Sequence, residues 1–231
     1  SDIAKSKNLT ISGSKVEIVN SASNILEVHG DLLIDTAGAL DMNGGGATDG
    51  HIRLYGDWTN NAGNIAFDEG QGTVTFTGTT PQIISNVTPE GTETFGNLIL
   101  NNNFDTSVSN NIIAKGNLTI NTGRTLTITA DDYAEVTNSV FNNGTFNILN
   151  DGSLVQINDL GVNTGNISYE RITTGAALDY VYWSSPVNGV STPASGYNYT
   201  WNTTVANPNG GQGNWVSATN TAMQPALGYI M

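Results

Sequence analysis

The sequence predicts an all-β protein: a parallel β-solenoid over residues 1–170, followed by a partial β-sandwich-like domain over residues 171–231. Three observations carry that prediction. A phrase of glycine, a polar residue and two apolar residues one position apart recurs as GDLLI at 30–34, GNLIL at 96–100, GNLTI at 116–120 and GTFNI at 144–148, with a weaker copy, GDWTN, at 56–60. Apolar residues come in pairs at period two and never in long runs, the pattern of short strands with one buried face. Proline is nearly absent from the repetitive part, as ladder-forming backbone requires. Repetition at irregular intervals of roughly 20 to 40 residues is the mark of a stack, in which each unit buries its apolar face only against its neighbours.

Taken in order, the pairs are Leu9/Ile11, Val16/Ile18, Leu26/Val28, Leu32/Ile34, Leu40/Met42, Ile52/Leu54, Ile65/Phe67 and Val74/Phe76. Gly, Asn, Asp and Ser fill the gaps. Gly and Asn tolerate positive φ and turn the chain at low cost. Second glycines at Gly38, Gly63, Gly123 and Gly152 follow four of the phrases and lead into Leu40/Met42, Ile65/Phe67, Leu126/Ile128 and Leu154. Pro81 and Pro89 bracket TPQIISNVTPEGTETF at 80–95, which reads as a longer coil or a protruding loop. The segment 131–141, DDYAEVTNSVF, spaces Tyr133, Val136 and Val140 in a roughly helical way, but β-branched residues favour two more short strands. After about residue 170 the phrase stops and aromatics crowd in, so a second domain or a cap begins there.

Net charge is −13, from 20 acidic and 7 basic residues, with no cysteine. The bases Lys5, Lys7, Lys15, Arg53, Lys115, Arg124 and Arg171 are scattered, which argues against nucleic acid, and the acidic balance argues against anionic membrane surfaces. No apolar run has the length of a membrane-spanning helix, so no membrane insertion is expected. The chain starts mid-pattern and stops at Gly228-Tyr229-Ile230-Met231, and so reads as a segment of a larger protein.

The runs GTVTFTGTTPQIIS (72–85), FGNLILNN (95–102), VSNNIIAKGNLTINTG (108–123) and NNGTFNILNDGSLVQ (142–156) resemble the repeat regions of very large Bacteroidetes surface proteins exported by the type 9 secretion system. ISYERITTGAALDYVYWSSPV at 167–187 and ALGYIM at 226–231 resemble the domain that often follows those repeats. The resemblance implies an extracellular, cell-surface location. It also implies an adhesive or architectural role, including that of gliding-motility adhesins, and the type 9 machinery as partner during export. It further implies O-linked glycans on Ser or Thr after Asp: Asp35-Thr36-Ala37 fits that pattern, and Asp105-Thr106-Ser107 fits it less well.

Chemistry is sparse. Parallel β-helices also carry polysaccharide lyases and hydrolases, which need acidic groups gathered on one face. Asp31, Asp35, Asp41, Asp49, Asp57, Asp68 and Glu69 are the candidates. Asp31 and Asp57 hold the place after the phrase glycine, and Asn97 and Asn117 hold it in later copies, an interchange that points to turn hydrogen bonding. His29 and His51 read as surface turn residues, since two histidines without a third ligand make a poor metal site. The loop DMNGGGATDG at 41–50 has Asp41, Asn43 and Asp49 around glycines but lacks the spacing and closing Glu of a calcium loop. No cofactor is called for. Trp201, Trp215, Tyr197 and Tyr199 could stack on sugar faces and so contact an extracellular glycan, but Tyr180, Tyr182, Tyr197, Tyr199 and Trp201 also lie at period two, as a sandwich core would. The leading expectation is a non-catalytic stalk or adhesin. The alternatives are a carbohydrate-active enzyme and a carbohydrate-binding module.

Overall fold

The computed structural model describes residues 3–18, 23–43, 49–87, 92–105, 111–174, 179–185 and 189–231. The chain divides into two compact units, Ser1–Arg171 and Ile172–Met231.

The first unit is a parallel β-solenoid. Its spine is one seven-stranded parallel sheet, made by Ile3–Ser6, Ile25–Val28, His51–Leu54, Thr73–Phe76, Asn97–Leu100, Leu118–Ile120 and Val140–Asn142 in that order. Each of these strands opens one coil, so there are seven coils. The register is strict: Lys5, Glu27, Arg53, Thr75, Ile99, Thr119 and Phe141 form one continuous outward row. The inward residues of the same strands, such as Val28, Leu54, Phe76, Leu100 and Ile120, are fully buried. Alternation at period two therefore does what it encodes, one face per parity.

The other two faces are each split. The second strands of coils 1–4, Leu9–Ile11, Leu32–Ile34, Trp58–Asn60 and Ile84–Asn86, form one parallel sheet. A new sheet begins with Phe104–Asp105 and continues through Thr125–Ile128, Thr145–Ile148 and Ser168–Tyr169. The third strands behave likewise. Lys15–Glu17, Ala39–Asp41 and Phe67–Asp68 pair together, and Thr92–Phe95 starts a separate sheet with Asn111–Ala114, Tyr133–Val136 and Ser153–Gln156. Only the spine runs through coil 4 without interruption. Large aromatics pack where the ladders restart: the Trp58 ring lies 4.7 Å from Phe67 and 5.4 Å from Phe95, and Phe76 lies 5.9 Å from Phe95 and 5.0 Å from Phe104. Such edge-to-face pairs add to area burial and fill a wider cross-section than Leu or Ile can.

Three expectations need correction. Ile65 is 98% exposed, because a 3-10 turn at Asn64–Ala66 takes the place of the expected strand start; its partner Phe67 is buried as the pair requires, with Ala66 buried beside it. The stretch 80–95 is no simple protrusion: it supplies the strands Ile84–Asn86 and Thr92–Phe95, whose Ile84 and Phe95 are fully buried, although residues 88–91, Pro89 among them, lie outside the described residues. The phrase glycines are not selected for positive φ. A Cβ on Gly30 would meet Asn8 Oδ1, and on Gly96 it would sit 2.7 Å from the carbonyl oxygens of Gly70 and Gly72. These glycines let one coil lie directly on another. Positive φ belongs to the second glycines Gly63 and Gly123. The segment 131–141 forms the two strands Tyr133–Val136 and Val140–Asn142.

The second unit contains one antiparallel sheet of four strands, in the order Tyr182–Trp183, Tyr229–Ile230, Tyr199–Ala206, Gln212–Ser217. A small core of Ala218, Met223 and Tyr229, with Trp183 and Met231 against it, covers one side. Among the described residues of this unit no second sheet faces it, so the sandwich is represented by this sheet alone.

Candidate functional site

The polar residue of the glycine phrase ties coils together. Asn8 Oδ1 accepts the Asp31 N–H at 3.2 Å, Asp31 Oδ1 accepts the Asp57 N–H at 2.9 Å, and Asp57 Oδ1 accepts the Ile83 N–H at 2.8 Å. After the ladders restart the pattern resumes: Asn97 Oδ1 accepts from Asn117 N at 3.0 Å, and Asn117 Oδ1 from Ser139 N at 3.1 Å. The tie to the next coil needs only an acceptor, which is why Asp and Asn interchange there, although Asn97 also donates its Nδ2 to the Gln71 carbonyl at 2.9 Å. The bond goes to the next coil and not to the residue's own turn, a reach that the phrase alone did not reveal.

The remaining acidic candidates are held in similar ways, and of them Asp41 and Asp68 stand side by side as register partners, with Asn43 bonded to both and Lys15 paired with Asp41. Asp35 Oδ1 accepts the Thr36 N–H at 2.8 Å. Asp41 accepts the Asn43 N–H at 2.8 Å and pairs with Lys15. Asp49 accepts the Gln71 N–H, Asp68 accepts Asn43 Nδ2 at 3.5 Å, and Glu69 pairs with Lys115. Of the calcium-like loop, residues 44–48 lie outside the described residues. Among the described residues no group of three or more His, Asp or Glu side chains is arranged to hold a metal ion. His51 is not in a turn: it opens a spine strand, and its Nδ1 accepts the Thr73 N–H at 3.1 Å. His29 stacks on Tyr55 at 4.8 Å beside Glu27. Glu27 also pairs with Lys5 at 3.0 Å and Arg53 at 2.5 Å, and Lys5 first, then Arg53, hold its carboxyl below the usual carboxylate range.

Inside the solenoid sits a polar cluster that the repeat pattern hides. Glu93 is 1% exposed, in the first strand of the restarted third face. Its Oε2 accepts Trp58 Nε1 at 2.8 Å and Asn86 Nδ2 at 3.1 Å, and its Oε1 accepts the Thr94 N–H at 3.2 Å. Burial pushes its carboxyl up to about 7, against the opposing pull of Trp58, Asn60, the Thr94 N–H and Asn86. One corner away, the buried Gln82 accepts the Gly78 N–H at 2.8 Å and Asn102 Nδ2 at 3.0 Å, and donates to the Leu54 carbonyl at 3.2 Å. The available signal was register: Asn60 and Asn86 stand where Ile34 stands one and two coils earlier.

The aromatic candidates of the second unit are exposed to different degrees. Trp201 and Trp215 are cross-strand partners, each 40% exposed, with rings 5.2 Å apart at 76°. Tyr199 is half-buried on the same face, and Tyr197 is 79% exposed two residues ahead of the strand. Tyr180 and Tyr182 are also exposed. The period-two tyrosines are therefore not enclosed as a sandwich core within this unit. Of the two glycosylation candidates, Thr36 is exposed in a turn, and Thr106 lies outside the described residues.

Residues 83–231 match the sequence model of a family described as a domain of unknown function, DUF8693. The match starts at the second strand of coil 4, where the two interrupted faces change over, and takes in the whole second unit. No curated protein and no solved structure matches the chain. Among the described residues no helix is long and apolar enough to cross a membrane.

Proposed function

We propose a mechanical role for this chain, which belongs to the DUF8693 family: it is a non-catalytic segment of a secreted bacterial cell-surface protein, a stalk or adhesin carried by the type 9 secretion system. The observation that carries this reading is the commitment of the phrase carboxylates. Asp31 and Asp57 spend an oxygen on the backbone of the next coil, where a catalytic pair would face an open cleft. A ladder of this kind favours stiffness over chemistry. The spine adds continuous backbone hydrogen bonding through all seven coils. The export route and the surface location rest on the resemblance of the repeats and of the YWSSPV segment.

The test is made in the native organism. Surface-protease shaving of intact cells should release peptides of this chain, and a strain lacking the type 9 translocon should retain the protein inside the cell. Retention of normal surface exposure in that strain would remove the export route from the proposal. Turnover of a polysaccharide that is lost on Asp57→Asn would replace the mechanical role with an enzymatic one.

A further inference from the structure

The second unit differs from the solenoid in its chemistry as well as its fold. Residues 172–231 contain a single ionisable acid, Asp179, and no Lys, Arg, Glu or His. All six phenylalanines lie in the solenoid, whereas three of the four tryptophans and five of the eight tyrosines lie in these last sixty residues. The aromatic residues chosen here are those with a polar tip, which suit half-exposed positions.

Register collects them on one side of the sheet. Directly opposed residues of an antiparallel pair share a face. Tyr182 opposes Ile230, Ile230 opposes Tyr199, and Trp201 opposes Trp215. That face therefore presents Tyr182, Tyr199, Trp201 and Trp215, while Trp183 and Tyr229 point to the other side and join the small core. The pose of Trp201 is built into the fold. Gly213 has φ of 82°, and a Cβ there would lie 2.7 Å from Trp201 Nε1 and 2.8 Å from Cε2. The missing side chain lets the indole lie across the neighbouring strand, edge to face with Trp215.

We infer that this face is a binding platform for an uncharged polysaccharide, with Trp201 and Trp215 as the stacking surface and Tyr182 and Tyr199 extending it across the sheet. Charge selects the ligand class. A unit with one acid and no base has nothing to pair with a uronic or sulfated polymer, a nucleic acid or an anionic lipid. Aromatic faces with hydroxyl and indole N–H tips match the alternating C–H and O–H surfaces of neutral pyranoses. The proposal rests on the adhesive reading above for its setting, but the export test can fail while binding holds.

The experiment uses the whole chain. Affinity electrophoresis is run against uncharged β-glucan, xylan and mannan, with a polyuronate as charged control, and tryptophan fluorescence follows titration with any polymer that retards the protein. The expected result is retardation by at least one uncharged polymer, unchanged between low and high salt. Trp201→Ala and Trp215→Ala should each weaken binding roughly tenfold or more, as loss of an anchoring aromatic does, and Trp201→Phe should retain most of it. Four results would overturn the inference: no retardation by any uncharged polymer, retardation by the polyuronate alone, binding unaffected by Trp201→Ala in a protein with unchanged circular dichroism, or a dimer whose formation buries both indoles.

Discussion

Replacing Glu93 by Gln tests the cost of an acid placed inside the solenoid core. The free carboxyl ionises near 4.5, and in the fold burial raises that to about 7. Below pH 4.5 both states are protonated, and the full stability is present. Between those values the unfolded chain ionises and the folded chain does not, so the unfolded state binds fewer protons and stability falls as pH rises. Above pH 7 the loss is complete. The rise from 4.5 to about 7, at about 1.4 kcal/mol for each tenfold change in proton affinity, gives a loss of about 3–4 kcal/mol. Gln keeps an oxygen for Trp58 and Asn86 but sets an NH2 where Oε1 accepts the Thr94 N–H, so the substitution carries a pH-independent cost of its own. Urea unfolding of both proteins, followed by circular dichroism from pH 4 to 8, should show the difference between them moving in favour of the Gln variant as pH rises, by up to about 3–4 kcal/mol across the range. The difference between the two curves cancels the titration of every other group that the substitution leaves untouched. A difference that stays flat across this range, or that favours the wild type more as pH rises, would refute the placement of Glu93 as a buried, neutrally solvated acid.

Four other outcomes follow from the same geometry. Gly56→Ala places a Cβ 2.5 Å from the Gly30 carbonyl oxygen and should cost about 2–3 kcal/mol in thermal or urea unfolding. Gly63→Ala meets no atom within 4 Å and should cost about 2–3 kcal/mol from its backbone alone, since φ 86° with ψ 176° is a region that essentially only glycine adopts. Asp57→Ala leaves the Ile83 N–H without its acceptor and should destabilise by about 1–2 kcal/mol, whereas Asp57→Asn should be close to neutral; the same pair measured by hydrogen exchange should place the loss in coils 3 and 4. Glycopeptide analysis of native material should find a glycan on Thr36, which is exposed in its turn, and an unmodified Thr36 peptide would remove that site.

The solenoid was legible in the sequence because its rule is local. Period-two pairs such as Leu32/Ile34 and Ile52/Leu54 specify which face is buried, and the stack repeats the instruction. Ile65 broke the rule because a 3-10 turn that follows Gly63 takes its place, while Phe67 stays buried as the apolar pattern requires. The cluster around Glu93 was not legible, since its partners Trp58 and Asn86 are 35 and 7 residues away and meet only through register. Asn60 and Asn86 could have been flagged as polar residues at inward positions, and Gln82 could not, because it lies ahead of the strand Ile84–Asn86, outside any period-two pair. The function of the phrase glycines was half legible. Composition marked them as special, but contact between coils, not a turn, is what demands them. In the second unit the aromatic periodicity was visible, and only strand pairing showed which aromatics share a face.

The strict parallel register of the spine is the premise of everything above, and it can be measured as a distance. The chain has no cysteine, so spin labels attached at Lys5→Cys and Phe141→Cys report without background. These positions stand in one outward row, in the first and seventh strands of the spine. Six steps of about 4.8 Å place their backbones about 29 Å apart. Double electron–electron resonance should give a single narrow distribution near that value, widened only by the label arms. A broad distribution, or a mean beyond about 40 Å, which that spacing cannot produce, would contradict the solenoid and the scaffold role built on it.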